Sequence, residues 1–158
     1  MTDRHEYVVD LSWSGSTGEG YEHYARTYEM STGGALGPFS ADPAFGGDAA
    51  LANPEQLLVM AAVSCQLLSF LAVAARSRVD VITYVDRAVG VMPPQSEGPM
   101  WVTTITLSPQ ITVRGDVPEA KLHRMVEIGH RECFIANSLR TQIELQPEFR
   151  RSPHGLSL

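Results

Sequence analysis

The order of patterns along the chain predicts an α+β fold: strand pair, helix, strand pair, helix, strand. Two features decide it. Residues 53–80, NPEQLLVMAAVSCQLLSFLAVAARSRVD, begin as a helix begins and are then apolar on every side, as in a helix buried all round. The segments around it alternate with period two between Gly- and Pro-containing turns, which favours antiparallel hairpins over a doubly wound sheet. The chain has 158 residues, 44% of them hydrophobic and 19% charged. One domain spanning 1–158, with a substantial core, is expected.

Residues 6–13 (EYVVDLSW) and 21–30 (YEHYARTYEM) alternate as strands do, with SGSTGEG between them as a turn. In the second of these, Tyr24, Arg26 and Tyr28 share one face. Residues 31–52 are rich in Gly, Pro, Ala and Asp, lack a clear period, and read as a long surface loop with a short strand or turn around Phe39 and Phe45, of the kind that is functional or wraps a partner. Asn53 is then a good N-cap, Pro54 suits the first helical position, and Glu55 favours the positive helix end. A helix from 54 to 77 is about 36 Å long. So apolar a helix needs more cover than one small domain provides, and a second subunit is expected to supply it. Residues 79–92 read as a strand, and 100–114 as one long strand bent at Pro109. A second helix follows Asp116 and Pro118, with Leu122, Met125, Val126 and Gly129 on its inner face. A last strand is expected at about 140–146, and the tail RRSPHGLSL, residues 150–158, is expected to fray.

The formal net charge is −6 and no Lys/Arg cluster occurs, which disfavours nucleic acid and anionic membranes as partners. The N-terminus lacks an apolar signal core. The longest apolar run, 57–75, is interrupted by Ser64, Cys65, Gln66 and Ser69. A cytoplasmic protein is expected, with no membrane partner.

Two cysteines, Cys65 and Cys133, stand 68 positions apart. One pair in a cytosolic chain suggests redox or catalytic use, although free cysteines also serve as small buried hydrophobes. A reactive thiol needs a cation to favour its thiolate. Cys65 lies too deep in its helix for the dipole to help, so the cation must come from another element. Arg26 is the candidate, and Glu55 the acid to pair with it. Glu55 and Cys65 are separated along one helix by about 15 Å and about 280° of rotation. Both can serve one site only if the helix breaks or the two come from different subunits. An antiparallel helix pair about a twofold axis would bring them together.

NPEQLL, the VSC whose cysteine falls ten positions after Glu55, the FSADPAFGGD loop and ECFIANS before the final strand resemble the osmotically inducible protein C / organic hydroperoxide resistance family (OsmC/Ohr). The resemblance spans about residues 20–146. It is nearer the OsmC-like branch, since Phe134 stands where Ohr proteins usually carry a proline. It implies the OsmC-like fold in an intertwined homodimer, and a peroxidase that needs no metal, haem or other cofactor. By the same resemblance Cys65 is the peroxidatic and Cys133 the resolving cysteine, Glu55 pairs with a catalytic arginine, and Arg26 falls where that arginine is expected. The implied substrate is an organic hydroperoxide and the implied reductant an external dithiol. Leu57, Met60, Leu68 and Phe134 would form an apolar substrate pocket.

Other readings start from other residues. His123, Glu127 and His130, with Cys133 beyond, have metal-ligand types on one helix face, but no signature motif supports them. His23 or His130 could act as base in a Cys–His hydrolase, yet no oxyanion motif accompanies them. A non-catalytic protein of the same fold, binding a small apolar ligand, is the main alternative. Asn137 reads as a turn or cap residue that helps to fix the Cys133 loop.

Overall fold

The computed structural model describes residues 4–34 and 36–153; the end of the tail expected to fray, residues 154–158, lies outside them. Its strands are β1 (His5–Ser14), β2 (Glu29–Ser31), β3 (Val81–Met92), β4 (Thr104–Leu107), β5 (Gln110–Arg114), β6 (Gln142–Leu145) and β7 (Glu148–Ser152). Its helices are α1 (Pro54–Arg76), α2 (Glu119–Glu132) and α3 (Phe134–Ser138). The mixed α+β class and the long central helix are as the sequence predicts.

One seven-stranded sheet forms a layer against α1. β3 is its spine. One edge of β3 pairs antiparallel with β1 along the whole of that strand, from His5↔Met92 to Ser14↔Thr83. The other edge is shared, with β5 opposite Val81–Val85 and β4 opposite Val89–Val91. The shift from β4 to β5 falls at Ser108–Pro109, where the sequence places a bend. Alternation along β1 turns Tyr7, Val9, Leu11 and Trp13 inward, and these pack on α1. At Gly90 of β3 the helix approaches so closely that a Cβ would stand 2.5 Å from Val59 Cγ2, so only glycine fits.

Three expectations need correction. Residues 21–28 form no strand. The His23 and Tyr24 N–H groups both donate to the Gly20 carbonyl, closing a turn, and only Glu29–Ser31 pairs with β1. Not every pairing is antiparallel: β6 runs parallel to β4, and β7 parallel to β5. The chain crosses over through α2 and α3 before returning, and a helical crossover delivers parallel strands. Finally, the tail begins in a strand: residues 150–152 belong to β7, which pairs from Gln110↔Glu148 through Arg114↔Ser152.

The start of α1 is fixed as expected. The Asn53 side chain accepts the Gln56 N–H at 2.9 Å, and the Gln56 side chain accepts the Asn53 N–H at 3.0 Å, a reciprocal cap. α1 is long and apolar enough to cross a membrane, but 56% of that stretch is buried inside this fold. A stripe remains open: Leu57 is exposed, and Ala61, Ser64, Cys65, Leu68 and Ala72 are half-buried. α2 packs on the opposite side of α1 from this stripe through Leu122, Met125, Val126 and Gly129.

Candidate active site

Along α1, Leu68, Ser69, Ala72 and Arg76 follow Cys65 at helical spacing, so the same outer face carries all five. They form one wall of a cavity of about 650 Å³. The turn at 21–26 supplies Tyr21, Tyr24 and Arg26, and the α2–α3 junction supplies Arg131, Glu132, Phe134 and Asn137. Phe134 is 82% exposed at the mouth. The lining combines apolar side chains with three guanidinium groups and one carboxylate. That carboxylate, Glu132, accepts from Arg76 Nη2 at 2.6 Å.

Arg26 is held by its own turn. Its Nη2 donates to the Tyr21 carbonyl at 2.6 Å and its Nη1 to the Tyr24 carbonyl at 3.2 Å. The guanidinium lies over the Tyr24 ring, 4.0 Å from its centroid, and 5.1 Å from that of Tyr21, a cation–π arrangement.

Cys133 sits behind the wall, 1% exposed. It ends α2 and begins α3, and its Sγ accepts the Ala136 N–H at 3.4 Å. Asn137 pins this junction, donating from Nδ2 to the carbonyls of Cys133 (2.9 Å) and Arg131 (3.0 Å). Burial pushes the Cys133 thiol up to about 11. The N–H groups of Ala136 and Ile135 offset part of that rise, and the nearby Cys65 thiol adds to it. Cys133 is therefore a protonated thiol at neutral pH. Both cysteines are free.

The structure thus brings Cys65, Cys133, Arg26, Leu68 and Phe134 together. It leaves out Glu55, Leu57 and Met60. α1 is unbroken, so within one chain Glu55 stays near the far end, where its charge and that of Asp42 act on the buried Tyr7 hydroxyl. Leu57 belongs to the open stripe, and Met60 is a core residue at 5% exposure. Sequence reasoning missed Ser69, Ala72 and Arg76, although their spacing from Cys65 points to them. It missed Tyr24 as a wall residue because a strand was expected there. Among the described residues no group of three or more His, Cys, Asp or Glu side chains is placed to hold a metal ion. His123 packs edge-on against Phe149 at 5.0 Å.

Residues 46–148 match the family model described as OsmC-like protein. The chain belongs to the OsmC-like family. An OsmC-like protein of unknown function from Vibrio cholerae is 30% identical, with TM-score 0.66 over 94% of this chain and all of that one. Two more distant structures share the OsmC-like fold. An organic hydroperoxide resistance protein OsmC from Legionella pneumophila is 13% identical, with TM-score 0.56 over 94% of this chain and 97% of that one. An organic hydroperoxide resistance protein from Elizabethkingia anophelis is 18% identical, with TM-score 0.55 over 71% and 78%. No curated protein sequence matches the chain.

Proposed function

We propose that this OsmC-like protein is a cytoplasmic thiol peroxidase that reduces organic hydroperoxides to alcohols. One observation carries the reading: two free thiols are close enough to influence each other, Cys65 on the wall of a largely apolar cavity and Cys133 buried behind it. A second thiol close to the first supports redox chemistry over simple ligand binding.

The chemistry follows from the placement. The Cys65 thiolate attacks the terminal oxygen of the hydroperoxide, the O–O bond breaks, and Cys65 becomes a sulfenic acid. Cys133 condenses with it, forming the disulfide and releasing water, and an external dithiol reduces both cysteines. Arg26 offers positive charge to the developing oxyanion. Leu68 and Phe134 give the carbon tail an apolar surface, which favours organic hydroperoxides over hydrogen peroxide.

Glu55 enters through dimerisation. The open stripe on α1 has Ala61 and Ser64 near its centre, small enough for a second helix to approach closely. A twofold axis near Ala61 sets the first turn of one helix against the Cys65 turn of its partner. The homodimer covers the stripe and completes each site with a Glu55 from the other chain.

Intact-mass measurement tests the reading. One equivalent of cumene hydroperoxide should convert the reduced protein to an intramolecular Cys65–Cys133 disulfide. Cys133→Ser should stop at a sulfenic acid that dimedone traps. Unchanged thiols, or disulfides only between chains, would rule the mechanism out.

A further inference from the structure

Cleavage of an alkyl hydroperoxide expels an alkoxide, which needs a proton as it leaves. The cavity wall offers few donors. Guanidinium groups hold their protons, Glu132 is ion-paired with Arg76, Cys133 stands behind the wall, and Ser69 is an ordinary alcohol. The two phenols remain. Tyr21 is 42% exposed and open to solvent, whereas Tyr24 is 3% exposed and lies directly beneath Arg26.

We infer that Tyr24 is a catalytic residue, the proton donor to the leaving oxygen. The inference rests on the peroxidase reading. The Cys65 thiolate bonds to the terminal oxygen as the O–O bond breaks, and that bond's electron pair departs on the alkoxide oxygen. The alkoxide takes the Tyr24 proton and leaves as an alcohol. The phenolate then regains a proton from water. Burial raises the Tyr24 hydroxyl above its ordinary value of 10.0, so it carries its proton at neutral pH. Arg26 and Arg76 offset part of that rise, which means the transient phenolate forms beside two cations. Arg26 thus acts twice, on the substrate oxygens and on the acid that serves them.

The test is a matched pair of oxidants. Cumene hydroperoxide expels an alkoxide, while peracetic acid expels a carboxylate that leaves without a proton. Tyr24→Phe keeps the ring under Arg26 and removes only the hydroxyl. Stopped-flow oxidation should be slower in Tyr24→Phe by about 100-fold with cumene hydroperoxide, the lower end for a general acid, and far less affected with peracetic acid. The retained peracid reaction also shows that the variant is folded. Equal slowing with both oxidants, or slowing with neither, would overturn the assignment of Tyr24. Wild type that reacts with either oxidant no faster than a free thiol would overturn the peroxidase reading itself. A second measurement needs no variant: the rate with cumene hydroperoxide should fall in D2O, and that with peracetic acid much less.

Discussion

Asp86 is a carboxyl group buried to 1% exposure on the inner face of β3. Its Oδ1 accepts the Ser108 N–H at 2.8 Å, which satisfies the backbone at the break between β4 and β5. Its Oδ2 has no partner among the described residues. Burial raises the group from 3.8 to about 7, and the Ser108 bond offsets only part of that. Because the folded-state value lies above the unfolded one, the contribution to stability is fully present below about pH 4. It is lost as pH rises towards and through about 7. The rise corresponds to about 4 kcal/mol at most. Asp86→Asn keeps the Ser108 bond and cannot ionise, so urea denaturation should find it several kcal/mol more stable than wild type at pH 8 and nearly equal to it at pH 4. At this scale the sequence is legible where chemistry is rare. Two cysteines in a long chain stand out, and their spacing from NPEQLL and ECFIANS marks them. Asp86 and Tyr24 do not stand out, since burial of an acid and use of a phenol are set by contacts from distant segments.

At the scale of elements, α1 is the easiest to read because its cap is local. Asn53, Pro54 and Gln56 determine where it starts within four residues. Asn53→Ala removes one half of the reciprocal cap and should cost about 1 kcal/mol in thermal or urea unfolding. The contact of α2 with α1 is less legible. Gly129 looks like a poor helix residue, but a Cβ there would stand 3.1 Å from the Phe70 backbone N and 3.5 Å from Gln66 Nε2. Gly129→Ala would stabilise an open helix by up to about 1 kcal/mol. Here it should destabilise by about 1–3 kcal/mol, since the close-packed backbone has to move. Because α2 carries Cys133, the same variant should also slow disulfide formation after oxidation. The pairings of β6 and β7 were not legible at all. Each strand is five residues or fewer, and its neighbour is chosen by the α2–α3 crossover rather than by its own pattern. The turn at 21–24 misled for a related reason: alternating aromatic and polar residues suit a strand, but two hydrogen bonds to the Gly20 carbonyl close a turn instead.

At the scale of the whole molecule, the apolarity of α1 exceeds what one chain covers. The proposed dimerisation through its open stripe predicts that Ala61→Arg, a large charge within the stripe, yields a monomer by sedimentation, with weakened activity in the proposed peroxidase reaction. It also predicts complementation. Glu55→Gln and Cys65→Ser are each impaired alone, but a mixed dimer pairs an intact Cys65 on one chain with an intact Glu55 on the other. Co-refolded variants should recover activity, and recovery would fail if Glu55 acted within its own chain. The central claim is that Cys65 is a nucleophile tuned for organic hydroperoxides. Stopped-flow oxidation of the reduced protein by cumene hydroperoxide and by hydrogen peroxide, with Cys65→Ser alongside, tests it most directly. The account predicts fast reaction with cumene hydroperoxide, much slower reaction with hydrogen peroxide, and none of either in Cys65→Ser. Equal rates for the two oxidants, no faster than a free thiol, would contradict it and favour a protein that binds an apolar ligand.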